Sequence, residues 1–361
     1  MKPTFFGCCG LAVILCLLIP AIPVAQSGGN FTITKSVIAG GGGRASGGTF
    51  TVDGTIGQAA AGTTSTGGSF SVQSGFWAGG EGPVQIATLF DYDGDRKADV
   101  SVYRPSGGSW WVLQSQSQSM YALGWGTVGD RIAPADYDGD EKTDIAIYRP
   151  AVGQWWILNS KTMSLTVHEW GIATDVIAPG DYTGDGKADY VVWRPSDGGW
   201  YVKGSDGTYS ATNWGIATDK PVAADYDGDR KMDIAIFRAD GNWWIRSSLT
   251  LGTIVRNLGI GTDRLVPSDY TGDDKADVAI WRPSDGGWWY LDSTTGAAVV
   301  RQWGIPTDIP APADYDGNGK TDLGVFRSNE GNWWIYYDNN TTTAINWGTN
   351  GDQPTPNAYV R

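Results

Sequence analysis

One segment recurs along this chain and limits what it can fold into. Asp-Tyr-(Asp/Thr)-Gly begins at Asp91, Asp136, Asp181, Asp225, Asp269 and Asp314, at intervals of 45, 45, 44, 44 and 45 residues. The rest of each unit repeats with it. A short apolar run ends in aromatic-Arg: Tyr103-Arg104, Tyr148-Arg149, Trp193-Arg194, Phe237-Arg238, Trp281-Arg282 and Phe326-Arg327. A Gly-rich turn leads to an aromatic pair: Trp110-Trp111, Trp155-Trp156, Trp200-Tyr201, Trp243-Trp244, Trp288-Trp289 and Trp333-Trp334. A third run ends in Trp-Gly at Trp125, Trp170, Trp214, Trp303 and Trp347, with Leu258-Gly259 in the fourth copy. Five residues further on stands Asp130, Asp175, Asp219, Asp263, Asp308 or Asp352. A period of this length signals like units stacked face to face.

Each unit reads as four short strands, in the second copy over 132–135, 144–149, 155–159 and 164–170. These runs are rich in Val, Ile, Tyr and Trp and are separated by Gly, Asp and Pro. After residue 27 no stretch of the chain carries a sustained helical period. Four strands in about 45 residues fit the blade of an all-β propeller, here with six repeats. A β-solenoid is the competing architecture, but its turns are shorter and carry no tandem hairpins. Adjacent residues on a strand point to opposite faces, so both members of each aromatic pair are expected to be buried, one toward each neighbouring blade. Each such burial contributes roughly 1.5–3 kcal/mol.

The repeated loop has a chemistry of its own. Numbered locally from one to nine, the first copy places oxygen side chains at positions one, three, five and nine: Asp91, Asp93, Asp95 and Asp99. The corresponding sets are Asp136, Asp138, Asp140 and Asp144; Asp181, Thr183, Asp185 and Asp189; Asp225, Asp227, Asp229 and Asp233; Asp269, Thr271, Asp273 and Asp277; and Asp314, Asp316, Asn318 and Asp322. Gly at position four suits a tight turn. Calcium takes six to eight hard oxygen ligands in flexible geometry. Four side chains, a water and the backbone carbonyl at position seven (Lys97, Lys142, Lys187, Lys231, Lys275 or Lys320) supply them. Nitrogen and sulfur donors are absent, which argues against zinc or copper. Asx-turns alone account for one or two Asp per loop, not for this spacing repeated six times. Up to six calcium ions are therefore expected. Thr183, Thr271 and Asn318 reduce the charge of the third, fifth and sixth loops, which are expected to bind more weakly.

The net charge of −13 opposes binding to nucleic acid, and 21 of the 35 Asp residues stand at the ligand positions of these loops. All three cysteines (Cys8, Cys9, Cys16) fall in an apolar run over 5–25 that follows Lys2. Residues 1–27 read as a signal peptide, with small residues at Ala25-Gln26-Ser27. A retained membrane anchor is the alternative. Cleavage leaves a secreted chain, extracellular or at the cell surface, with no disulfide, no thiol and no membrane segment. Residues 28–80 are rich in Gly, Ser and Thr, with strand-like runs over 30–37, 49–54 and 69–77, and 84–361 hold the repeats. The tail ends Pro356-Asn357-Ala358-Tyr359, an echo of Pro134-Ala135-Asp136-Tyr137. That spare first strand, added to the three runs of 28–80, has the makings of a seventh blade. A separate small β module before a six-bladed ring is the other arrangement.

The Trp-Gly pair, the segment typified by Ile177-Ala178-Pro179, and Asp-x-(Asp/Thr)-Gly-Asp together resemble the FG-GAP or VCBS repeat of integrin α-subunit propellers and of many secreted bacterial proteins. The resemblance covers about 84–361, with Trp in place of the family's Phe before Gly. It implies calcium in the hairpin between the first and second strands of each blade, and it implies no single activity. Relatives serve as adhesion modules, lectin-like domains and polysaccharide-cleaving enzymes. The one histidine, His168, has no counterpart in other copies and reads as a rim residue. No catalytic residue stands out. The first reading is a non-enzymatic module that binds a glycan or an extracellular protein. The alternatives are a calcium-dependent polysaccharide lyase or hydrolase and a structural surface or matrix protein. The six Arg are expected to pair with Asp of their own or the next blade, and the Trp to pack between blades rather than to stack on sugars.

Overall fold

The computed structural model describes residues 88–361 in full and, before them, the backbone of three strand pairs. In the earlier part Ser27–Gly28 pairs with Phe31–Thr32, Gly42–Gly47 with Phe50–Thr55, and Thr64–Gly67 with Phe70–Gln73. Each run read from the sequence overlaps the second member of a pair. The first members include GGRASG and TSTG, which carry no large apolar or aromatic residue to mark a strand. The signal or anchor segment lies outside the described residues. Contacts divide the chain into Met1–Gly82 and Pro83–Arg361.

The second unit is a β-propeller of six four-stranded antiparallel blades. Blade two has strands Arg131–Ile132, Ile145–Arg149, Gln154–Leu158 and Leu165–Glu169, from the inside outward. Blades three to six repeat this order, beginning at Val176–Ile177, Lys220–Pro221, Arg264–Leu265 and Ile309–Pro310. Blade one takes Val100–Arg104, Ser109–Leu113 and Met120–Gly124 from the start of the ring, and its inner strand, Gln353–Pro354, from the far end. The tail strand therefore completes the first blade and does not enter a seventh. The count made from the sequence overlooked that the first repeat starts at its Asp loop and lacks an inner strand of its own. Pairing the two ends removes the open edges that an unclosed ring would leave.

The core lies between blades. The first residue of each aromatic pair, Trp110, Trp155, Trp200, Trp243, Trp288 and Trp333, is fully buried. Its indole donates to the backbone carbonyl of the Trp-Gly position of the same unit, for example Trp155 Nε1 to Trp170 O at 2.9 Å and Trp243 Nε1 to Leu258 O at 2.9 Å. The second aromatic departs from expectation: it is only half-buried, because an Arg rather than a neighbouring blade covers one ring face. Guanidinium carbons lie 4.4–5.7 Å from these ring centroids. The Trp of Trp-Gly crosses to the next blade. Trp125, Trp170, Trp214 and Trp303 donate to the carbonyls of Trp156, Tyr201, Trp244 and Trp334, and Trp347 closes the circle on Trp111. Leu258 interrupts this set of staples once.

Candidate metal loops and the aromatic face

A blade is five residues tall, roughly 17 Å, and its two ends carry different chemistry. The inner strand of blade two starts beside Asp130 and runs toward Asp136. The second strand returns from Asp144 to Arg149, and the hairpin between the third and outer strands comes back to the Asp loop at Ser160. One face of the ring therefore holds the Asp loops and the hairpin tips. The other holds the Trp-Gly turns and the Asp–Arg pairs.

On the loop face, backbone amides shape each carboxylate. Asp136 at position one accepts from Gly139 N at 2.7 Å and Glu141 N at 2.9 Å. Asp140 at position five accepts from Lys142 N at 3.0 Å. Asp144 at position nine, fully buried, accepts from Tyr137 N at 2.8 Å and from Ser160 N across the blade at 2.5 Å. The Tyr at position two is locked below, with Tyr137 Oη donating to Ala133 O at 2.8 Å. The loops are also chained to one another. The amide at position eight donates to the position-one carbonyl of the preceding loop: Thr143 to Asp91, Ala188 to Asp136, Met232 to Asp181, Ala276 to Asp225, Thr321 to Asp269, and Ala98 to Asp314, all at 2.6–2.7 Å. The position-seven Lys lies over the preceding loop's Gly, so a Cβ on Gly184 (φ +82) would come within 2.5 Å of Lys231 Cε.

Among the described residues, four loops gather three carboxylates whose nearest oxygens lie within 4.8 Å of one another. These are Asp91, Asp93 and Asp99; Asp136, Asp138 and Asp144; Asp225, Asp227 and Asp229; and Asp314, Asp316 and Asp322. Asp95, Asp140 and Asp233 stand outside these triads, and the Thr183 and Thr271 loops assemble none. The sixth loop, weakened on paper by Asn318, groups with the Asp-rich ones. Burial pushes Asp99 and Asp322 up to about 7 and Asp144, Asp233 and Asp277 up to about 6, against the hydrogen bonds that favour the charged form. Two buried carboxylate oxygens, Asp138 Oδ1 and Asp322 Oδ1, have no partner. An all-oxygen donor set with orphaned buried acceptors fits a hard divalent cation.

Sequence reasoning missed the tip serines. Ser115, Ser160, Ser205, Ser248 and Ser293 each donate a backbone amide to the position-nine Asp. Hydroxyls of four of them reach the position-five Asp, for example Ser160 Oγ to Asp140 at 2.9 Å and Ser293 Oγ to Asp273 at 2.6 Å. Their recurrence 15 or 16 residues after the loop was the available signal. Asp338 replaces Ser in the sixth copy, and there Asp322 Oδ1 is left unpartnered.

On the opposite face each Arg holds the Asp of its own blade in a two-pronged pair. Arg194 Nε and Nη2 lie 2.8 and 2.9 Å from Asp175 Oδ1 and Oδ2. The same pairing joins Arg104–Asp352, Arg149–Asp130, Arg238–Asp219, Arg282–Asp263 and Arg327–Asp308. The Asp side chains are at most 2 % exposed and the Arg 18–33 %. These hydrogen bonds hold all six guanidinium pKa values above their ordinary value. Between blades a cleft of about 230 Å³ opens, lined by Trp170, Gly171, Val192, Arg194 and Tyr201. Tyr209, exposed, flanks Trp170 with ring centroids 5.5 Å apart. His168 lies on the outer strand of blade two, half-buried against Tyr190 at 4.3 Å, and burial lowers its pKa.

Residues 181–236 match the model of a family described as FG-GAP-like repeat. No curated protein matches the chain in sequence. Among solved structures the chain is similar to an Agrocybe aegerita lectin whose structure concerns recognition of non-reducing terminal N-acetylglucosamine. That match has 18% identity and a TM-score of 0.46, covering 69% of this chain and 76% of that one. It is also similar to virginiamycin B lyase from Staphylococcus aureus (10% identity, 72% and 86% covered, TM-score 0.42) and to a protein of unknown function from Desulfotomaculum acetoxidans (10%, 68% and 78%, 0.41).

Proposed function

The chain is a β-propeller of FG-GAP-like repeats, and from that premise we propose that it is a secreted, calcium-stiffened module that binds a glycan without cleaving it. The observation that carries the calcium part is the set of four carboxylate triads within 4.8 Å. Asp91, Asp93 and Asp99 and their counterparts would hold the ion. A bound ion would offset the mutual repulsion of these groups and tie each loop more firmly to its hairpin tip. Because the loops are hydrogen-bonded into a circle, stiffening one loop restrains its neighbours.

The glycan part is supported by the other face. Half-buried aromatics under paired guanidiniums line a cleft between rigid blades, and such a surface offers apolar ring faces beside fixed hydrogen-bond donors. The test has two arms. Calorimetric titration of chelator-stripped protein with calcium should show uptake in more than one affinity class, and the absence of uptake rejects the calcium reading. A glycan array probed in calcium and in chelator should give calcium-enhanced binding to at least one sugar, and a blank array in both conditions rejects the glycan reading.

A further inference from the structure

The first residue of the inner strand stands at the mouth of the central channel on the aromatic face. In three blades it is a cation: Arg131, Lys220 and Arg264. A fourth cation comes from the tail. After completing blade one, the chain turns through Thr355–Asn357 and fills the channel. Asn357 Nδ2 donates to Pro310 O, Tyr359 Oη to Pro134 O, and Leu265 N to Arg361 O, so the tail is tied to the inner strands of three further blades. Arg361 Nη2 then donates to Ile177 O at 2.8 Å, while Arg131 Nη1 donates to Asp175 O at 2.6 Å. Those two carbonyls are two residues apart on one strand edge, roughly 7 Å.

None of Arg131, Lys220 and Arg264 has a carboxylate partner among the described residues. The nearby ring carboxylates, Asp175, Asp219, Asp263 and Asp308, are each occupied by their own Arg. Arg361 Nε is buried with no partner at all. Burial lowers the pKa of Lys220, with Arg264 adding to the shift and Asp263 partly offsetting it. In a chain of net charge −13, three cations without a carboxylate partner, Arg131, Lys220 and Arg264, converge on one opening beside Arg361, whose own terminal carboxylate offsets its charge.

We propose that this channel mouth binds the anionic groups, uronate carboxylate or sulfate ester, of an acidic glycan through Arg131, Lys220 and Arg264. The inference rests on the glycan reading above and narrows it to a charged sugar. Aromatic clefts on the same face would receive the neighbouring sugar rings.

The test is calorimetric titration of the calcium-loaded full chain at low ionic strength with hexagalacturonate, a sulfated oligosaccharide, inorganic sulfate and maltohexaose. Binding of an acidic oligosaccharide should weaken about tenfold in Arg131→Gln and about a hundredfold in Arg131→Gln with Arg264→Gln. Arg256→Gln makes the same charge change on the outer strand of blade four and should stay within about twofold. Arg361 is left intact because it anchors the tail. Equal weakening in Arg131→Gln and Arg256→Gln overturns the proposal, since net charge alone would then account for binding. Inorganic sulfate binding as tightly as the oligosaccharides overturns it also. If maltohexaose or another neutral glycan binds and Arg131→Gln leaves that affinity unchanged, the channel mouth is rejected while the glycan reading stands.

Discussion

Asp138→Asn should change the stability of this ring in opposite directions with and without calcium. Asp138 sits in a triad with Asp136 and Asp144, with oxygens no more than 4.8 Å apart. At that distance and an effective dielectric of about 20, each like-charge pair costs about 3.5 kcal/mol. Asp138 is half-exposed, so solvent screening reduces the realised penalty to about 1 kcal/mol. In chelator at pH 8 the amide removes that penalty, and the variant is expected to be more stable by about 1 kcal/mol. In calcium at a hundredfold excess over Kd, one site contributes about 2.7 kcal/mol of stability, and the variant loses it. The calcium-dependent part of the free energy therefore drops by about 2.7 kcal/mol on one isosteric change. Urea unfolding followed by tryptophan fluorescence, in calcium and in chelator, measures both limbs. Thr183→Ala is the control: its loop gathers no triad, so its calcium-dependent part should move by less than about 0.5 kcal/mol. An Asp138→Asn shift that is the same in both buffers, or a Thr183→Ala effect of equal size, refutes the assignment of the second loop as a cation site.

Three further outcomes are expected. Asp175→Asn breaks a buried two-pronged pair and strands Arg194; because Arg194 is 23% exposed, the loss should fall near the lower end for such pairs, about 2–3 kcal/mol, and an unfolding free energy within 0.5 kcal/mol of the parent (roughly the size of an ordinary surface substitution) would contradict it. In chelator, stability should rise as pH is lowered from about 8 toward about 4. Asp99 and Asp322 sit near 7 and Asp144, Asp233 and Asp277 near 6 in the folded ring, so the folded state takes up protons before the unfolded one. Calcium should reverse the trend, because protons then compete for its ligands, and a melting temperature that falls on acidification in chelator would count against the raised values. Leu258→Trp should supply the one missing indole staple, to the Trp289 carbonyl, and stabilise by about 1 kcal/mol; a clear loss in thermal unfolding would show that blade five cannot accept the ring.

The division between what was legible and what was not follows from the range of the interactions. A 45-residue period, the four runs per unit and the Asp spacing are local facts, and each copy confirms the others. They determined the propeller, its loops and the Asp–Arg pairing, because the same short-range physics acts in every blade. The closure of the ring was not local. Gln353–Pro354 had to find Val102 and Tyr103 some 250 positions away, and in sequence it read as a strand to spare. The half-exposed second aromatic was also beyond reach, since its cover is an Arg brought over it by the Asp of the same blade. Thr183 and Thr271 marked the third and fifth loops as poorer in charge, but the copies did not foretell that the sixth, with Asn318, would still gather a carboxylate triad. The surplus cations at the channel mouth went unnoticed for a plain reason. Arg131, Lys220 and Arg264 are scattered, irregular substitutions in the repeat, and only the circular geometry brings them to one opening. Sequence determined what every blade shares; the tertiary structure decided what the blades, once closed into a ring, place together.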